Sequence, residues 1–110
     1  MRLEQVSEVF LSVLPNATFH YMAHAKLDKY IVWAEDGDAD NQSMDNKVVL
    51  RTLQGTTDYY TKTEYDPVVN QIETAMNKAE MGWQLSSIQY EEETGYIHYE
   101  WIWEVELSVG

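Results

Sequence analysis

Residues 96–107 read Tyr-Ile-His-Tyr-Glu-Trp-Ile-Trp-Glu-Val-Glu-Leu. The odd positions, Ile97, Tyr99, Trp101, Trp103, Val105 and Leu107, are apolar without exception, while the even positions hold Tyr96, His98, Glu100, Ile102, Glu104 and Glu106. This is period two, and a pleated strand is the conformation that turns alternate side chains to one face. A helix would scatter the same residues around its surface. At twelve residues the segment is about twice the usual strand length. It is therefore expected to be the spine of an antiparallel sheet, with Trp101 and Trp103 marking the core face and the even face largely wet.

The residues before it supply a hairpin partner. Glu91-Glu92-Glu93-Thr94-Gly95 makes a turn, and Trp83–Glu91 reads as a strand whose apolar phase moves from odd (Trp83, Leu85) to even (Ile88, Tyr90) across Ser86 and Ser87. A bulge at the serines accounts for that shift. Two helices punctuate the rest. Leu3, Val6, Phe10, Val13 and Leu14 recur at helical spacing before Pro15, predicting a helix over Arg2–Leu14. Asp66 is placed to cap a second helix over Pro67–Met81, with Val69, Ile72, Ala75, Met76 and Ala79 as its apolar stripe and Gly82 as its left-handed stop. Between the helices, Lys29–Ala34 and Lys47–Lys62 are rich in β-branched and aromatic residues, and Gly55 suggests a bulge or kink splitting the longer run. The expectation is one α+β domain over 1–110, a small mostly antiparallel sheet packed by two helices in the order helix, two or three strands, helix, two strands. Its core is expected to contain Phe10, Trp33, Ile72, Met76, Trp101 and Trp103.

Composition limits the function. The chain has 110 residues, 45% of them hydrophobic, and no cysteine, which excludes disulfides, thiolate metal sites and a thiol nucleophile. Nineteen acidic against seven basic residues give a net charge of −12, which repels phosphate backbones and anionic membranes. Neither specific nucleic-acid binding nor membrane association is expected. Met1–Glu8 has no continuous apolar stretch, so it reads as no secretory signal and the product as cytosolic.

The segment Glu35–Asn46 stands out, with five acids in twelve residues. Asp36, Asp38 and Asp40 alternate as the first ligands of a calcium loop do, yet Asn41 stands where that loop needs glycine and Lys47 where it needs a bidentate glutamate. A flexible, solvated acidic loop that faces a partner is the expectation, with no metal. His20 and His24 lack the glutamate of a His-Glu-x-x-His zinc motif, His98 is explained by a cross-strand pair, and Glu91, Glu92 and Glu93 point apart in one turn. No phosphate loop, dinucleotide fingerprint or serine elbow occurs. Neither a catalytic set nor a cofactor is expected. Tyr59 and Tyr60 are adjacent, so a strand turns them to opposite faces. Together with Tyr65, Asp36, Asp38, Asp40, His98 and Glu100 they are candidates for a protein interface, where tyrosine is enriched.

Three segments carry a family resemblance: Gln54-Gly-Thr-Thr-Asp-Tyr-Tyr-Thr-Lys62, the helix opening Asp66-Pro67, and Tyr90-Glu-Glu-Glu-Thr-Gly-Tyr-Ile-His-Tyr-Glu-Trp101. They resemble the tail terminator, or tail completion, proteins in the structural gene modules of long-tailed phages and prophages, over about Leu3–Val105. The resemblance implies a short helix on a mixed or antiparallel sheet, a second helix and a closing strand pair. It also implies rings, typically hexamers, that cap the tail tube and join tail to head. The implied partners are further copies of the chain, the tail tube protein and the head-tail connector protein. The implied location is the host cytoplasm during assembly and then the head-proximal end of the virion tail. The family brings no catalytic residue and no counterpart for the acidic loop. A head-side adaptor or minor capsid protein of the same module is the nearest alternative. An acidic DNA-mimic inhibitor and a small ligand-binding domain are rivals of other classes.

Overall fold

The computed structural model describes residues 1–39 and 50–108. The elements are α1 (Leu3–Leu11), β1 (Thr18–His20), β2 (Lys29–Asp38), β3 (Leu50–Thr61), α2 (Val68–Lys78), β4 (Gly82–Glu91) and β5 (Tyr96–Ser108). They form an α+β fold with a five-stranded sheet in the order β1-β2-β3-β5-β4. Every neighbouring pair is antiparallel except β1 with β2. No helix among the described residues is long and apolar enough to cross a membrane.

The period-two reading of β5 places its odd face against the helices. Trp101 and Trp103 are fully buried in one cluster with Val6 and Phe10 of α1 and Ile72 and Met76 of α2. By area, burying an indole of about 150–250 Å² contributes about 4–6 kcal/mol. Each indole N–H also finds an acceptor: Trp101 Nε1 donates to Glu73 Oε2 of α2 (2.9 Å) and Trp103 Nε1 to Thr57 Oγ1 of β3 (2.9 Å). The register sets large against small, with Trp101 opposite Thr57 and Trp103 opposite Gly55.

That register corrects the expectation for Gly55. β3 pairs with β5 without interruption from Leu50 to Thr61, so there is no kink. A Cβ on Gly55 would instead fall within the Trp103 ring and 2.7 Å from the Ala34 carbonyl oxygen. Glycine is needed there because the indole lies on the backbone. The irregularity belongs to β2, where Glu35 pairs with Gly55 and Gly37 with Gln54, leaving Asp36 as the extra residue. Accordingly β2 does not end at Ala34. It runs to Asp38, so the segment expected to be loop from Glu35 onward starts as strand, and Ala39 N–H still donates to Thr52 O (3.0 Å). Asp40 and the rest of that loop to Asn46, and the expected strand start at Lys47, lie outside the described residues.

The bulge between β4 and β5 falls where the serines predict it, between Leu85 and Ser87. Both helices are shorter than expected. α1 closes at Leu11 with Ser12 as cap, and α2 opens under Asp66, whose Oδ1 accepts from Val68 N–H (2.9 Å). The left-handed stop of α2 is Glu80 (φ 60°) rather than Gly82, which begins β4. Met81 N–H bonds Met76 O and Glu80 N–H bonds Asn77 O, both at 3.0 Å, the paired reach-back of a Schellman end.

Two features lack a local sequence signal. The third strand before α2 is β1, three residues long and parallel to β2, tied to the turn after α1 by Thr18 Oγ1 donating to Leu14 O (2.7 Å). Further, the even face of β5 is not uniformly wet. Its first residue, Tyr96, is buried in a second cluster with Ala17 and Tyr30. Segment 21–28 lies over this end of the sheet, where Tyr96 donates its hydroxyl to Leu27 O (2.6 Å).

Candidate functional site

The sheet face opposite the helices carries an aromatic row built by register. Tyr30 of β2 opposes Tyr60 of β3, which opposes His98 of β5. Their rings stack, at 4.7 Å for Tyr30–Tyr60 and 4.3 Å for Tyr60–His98, and Tyr96 stands edge-on to both tyrosines. Carboxylates frame the row. His98 Nε2 lies 2.7 Å from Asp58 Oδ1, and its Nδ1 lies 3.8 Å from Glu91 Oε2. The hydrogen bond to Asp58 raises the His98 pKa above the ordinary imidazole value despite burial, with the charges of Asp58, Glu91 and Glu100 adding to it. Burial and the neighbouring charge of Asp58 push the Tyr60 hydroxyl up to about 12. Between this row and segment 21–28 opens a cleft of about 480 Å³, walled by Met22, Ala23 and Val32 and floored by Tyr30, Tyr60 and Tyr96.

The interface candidates named from sequence separate in space. Tyr60, His98 and Glu100 share this face, with Glu100 opposite Asp58. Tyr59 points the other way, is fully buried, and donates to Asp66 Oδ2 (2.7 Å). Asp66 also accepts from Thr61 Oγ1 (2.6 Å) and lies 3.3 Å from Lys29 Nζ. Burial works against its charged form, but these partners and the Val68 N–H hold its pKa below the ordinary carboxylate value. Tyr65 is 91% exposed at φ 55°, immediately before this buried network. Asp36 accepts from Thr56 Oγ1 (2.6 Å) and Asp38 pairs with Arg51 (3.1 Å), towards the far end of the sheet. Asp40 is outside the described residues.

Among the other histidines, His20 is sandwiched between Tyr21 and Trp33 at 3.8 and 3.9 Å and bonded to Glu35 Oε1 (2.7 Å). His24 packs edge-on to Phe19. Among the described residues no group of three or more histidine and carboxylate side chains could hold a metal ion.

Sequence reasoning missed Tyr30, Tyr96 and Asp58, because only strand pairing brings them to Tyr60 and His98. It also missed the outer edge of β4. This strand ends the sheet and is ten residues long. From Gly82 to Tyr90 it carries no charge, although 24% of the chain is charged. Ile88 and Tyr90 stand 56% and 64% exposed on it. Edge strands are ordinarily protected by charge or proline, and the signal for this one was its uncharged run.

No protein-family profile matches the chain, and no curated protein matches it in sequence. Among solved structures the fold is similar to a chain in the virion of a native gene transfer agent particle, with a TM-score of 0.56 and 9% identity. The match covers 92% of this chain and 85% of that one. It establishes a shared fold.

Proposed function

We propose that this chain is a phage-type virion assembly protein that acts as a tail terminator, forming a ring that caps the tail tube and joins tail to head by binding and steric closure. The observation that carries this reading is the unguarded β4 edge on a domain whose fold recurs, nearly end to end, in a virion chain. An uncharged edge with exposed Ile88 and Tyr90 offers unpaired backbone groups and apolar area to another chain. A heterologous contact of that edge with a different patch on the next copy closes into a ring. The remaining surface, with the chain's net charge of −12, gives a conduit wall that does not retain DNA phosphates.

Tube subunits polymerise head to tail and have no intrinsic end, so length control needs a protein that matches the last ring on one side and offers no tube-binding surface on the other. Deleting the gene in its phage or prophage should leave DNA-filled heads and separate tails, overlong or ragged at the upper tip in electron micrographs. Joined particles with normal tails would refute the role. Unfilled or unassembled heads would move the chain to the head-side adaptor alternative.

A further inference from the structure

We infer that the cleft between segment 21–28 and the open sheet face binds an arginine side chain presented by a basic segment of a partner protein. The inference is independent of the tail-terminator reading.

Its basis is the unequal treatment of the tyrosine hydroxyls. Tyr59 donates to Asp66 and Tyr96 to Leu27 O. Tyr30 is as deeply buried, only 4% exposed, yet among the described residues its hydroxyl makes no hydrogen bond: burial and the neighbouring Tyr96 and Glu91 are what perturb it. Among those residues no side-chain nitrogen or oxygen is both fully buried and without a partner, so the Tyr30 hydroxyl must be reached by solvent, and Tyr30 lines the cleft. Tyr60 lines it too, and its hydroxyl is likewise perturbed by burial and charge rather than by a hydrogen bond. A solvated hydroxyl in a cleft is open to a ligand group that takes the place of its water. Two hydroxyls without protein partners thus meet, in one cleft, the carboxylates of Asp58 and Glu91, which also face His98 at 2.7 and 3.8 Å.

That set is rich in acceptors, so the ligand must bring donors and positive charge. The aromatic cluster already tolerates a cation: Lys62 Nζ lies 5.0 Å from the centre of the Tyr96 ring. A guanidinium suits the space better than an ammonium. It is flat enough to lie along the aromatic floor, it is more weakly hydrated, and its fork of donors can serve separated acceptors at once. The chain itself holds two arginines, Arg2 and Arg51, and Arg51 is paired with Asp38. Charge complementarity with a chain of net charge −12 therefore points to a basic partner. Lys26 from segment 21–28 also lines the cleft and opposes an incoming cation.

The test is an ¹⁵N–¹H titration of the whole chain with acetylated, amidated tetra-arginine, using tetra-lysine and tetra-citrulline as controls. Tetra-arginine should shift the Val32, Asp58, Tyr60 and Glu91 amides saturably, bind roughly tenfold or more tightly than tetra-lysine, and leave tetra-citrulline without effect. Tyr30→Phe should keep or raise the melting temperature, since that hydroxyl has no partner, while weakening tetra-arginine roughly tenfold. Lys26→Ala, an exposed substitution, should tighten it. Equal binding of arginine and lysine peptides, with shifts spread over Glu104 and Glu106, would overturn the inference. So would a Tyr30→Phe protein that binds as the parent does.

Discussion

Gly55→Ala tests the packing argument most directly. The added methyl group would occupy the place of the Trp103 ring and sit 2.7 Å from the Ala34 carbonyl oxygen, so ring or backbone must give way. Trp103 is fully buried with its N–H on Thr57, and β3 is clamped by β2 on one side and β5 on the other. Overpacking of this kind costs about 1–3 kcal/mol, and a displaced indole that loses Thr57 adds about 1–3 kcal/mol. The smaller unfolded-state entropy of alanine offsets about 0.4–1 kcal/mol. The net is about 1–6 kcal/mol, a sizeable share of the roughly 5–15 kcal/mol that stabilises a domain. Urea denaturation followed by tryptophan fluorescence measures it, and the same substitution in a Trp103→Ala background isolates the cause. With the ring gone, Gly55→Ala should cost clearly less than in the parent, the approach to the Ala34 carbonyl oxygen being what remains. An unchanged penalty in that background, or none in the parent, would refute the claim that the indole dictates glycine.

Other consequences are as specific. Asp66→Ala removes the acceptor of Tyr59, Thr61 and the Val68 N–H, and should cost about 3–5 kcal/mol in chemical denaturation, at about 1–3 kcal/mol for each buried donor left without a partner. Because the folded-state pKa of Asp66 is lowered, its contribution is present above the ordinary Asp value and is lost as pH falls through the depressed one. Asp66→Asn should therefore flatten the acid limb of stability against pH. His98 has the opposite sign: its pKa is raised by Asp58, Glu91 and Glu100. Its stabilisation is complete below the ordinary imidazole value and is lost as pH rises through the raised one, with a slope of at most about 1.4 kcal/mol per pH unit. His98→Gln should abolish that slope in melting curves. Glu80→Gly, at φ 60°, should raise stability by about 0.5–1 kcal/mol; a loss would show that the Glu80 side chain matters more than its backbone.

What was legible in the sequence was whatever local chemistry determines. β5 declared its buried face through Trp101 and Trp103, the phase shift at Ser86 and Ser87 located a bulge, and Asp66-Pro67 opened a helix. Pairing was not legible. Gly55 suggested a kink because glycine breaks strands, whereas its reason is a tryptophan on the neighbouring strand, 48 positions away in sequence. β1 is too short to show a period and exists because β2 offers it an edge. The cleft escaped for the same reason: Tyr30, Asp58, Tyr60 and Glu91 come from three strands, and each alone reads as an ordinary strand residue.

The position of β5 bears on how the chain is made. It follows every other strand in sequence yet sits inside the sheet, between β3 and β4. During synthesis, β2 and β3 can pair and α2 can form, but β3 and β4 have no direct partner in each other until the tryptophan strand emerges and slots between them. The nascent protein thus presents the β3 edge and an apolar helix face together, the species most open to chaperones and to misassociation with neighbouring nascent chains. Completion of the core waits for Trp101 and Trp103, and a ribosome stalled before them would hold two helices over a β2–β3 pair that supplies only Ile31, Trp33, Leu53 and Tyr59 to the shared cluster.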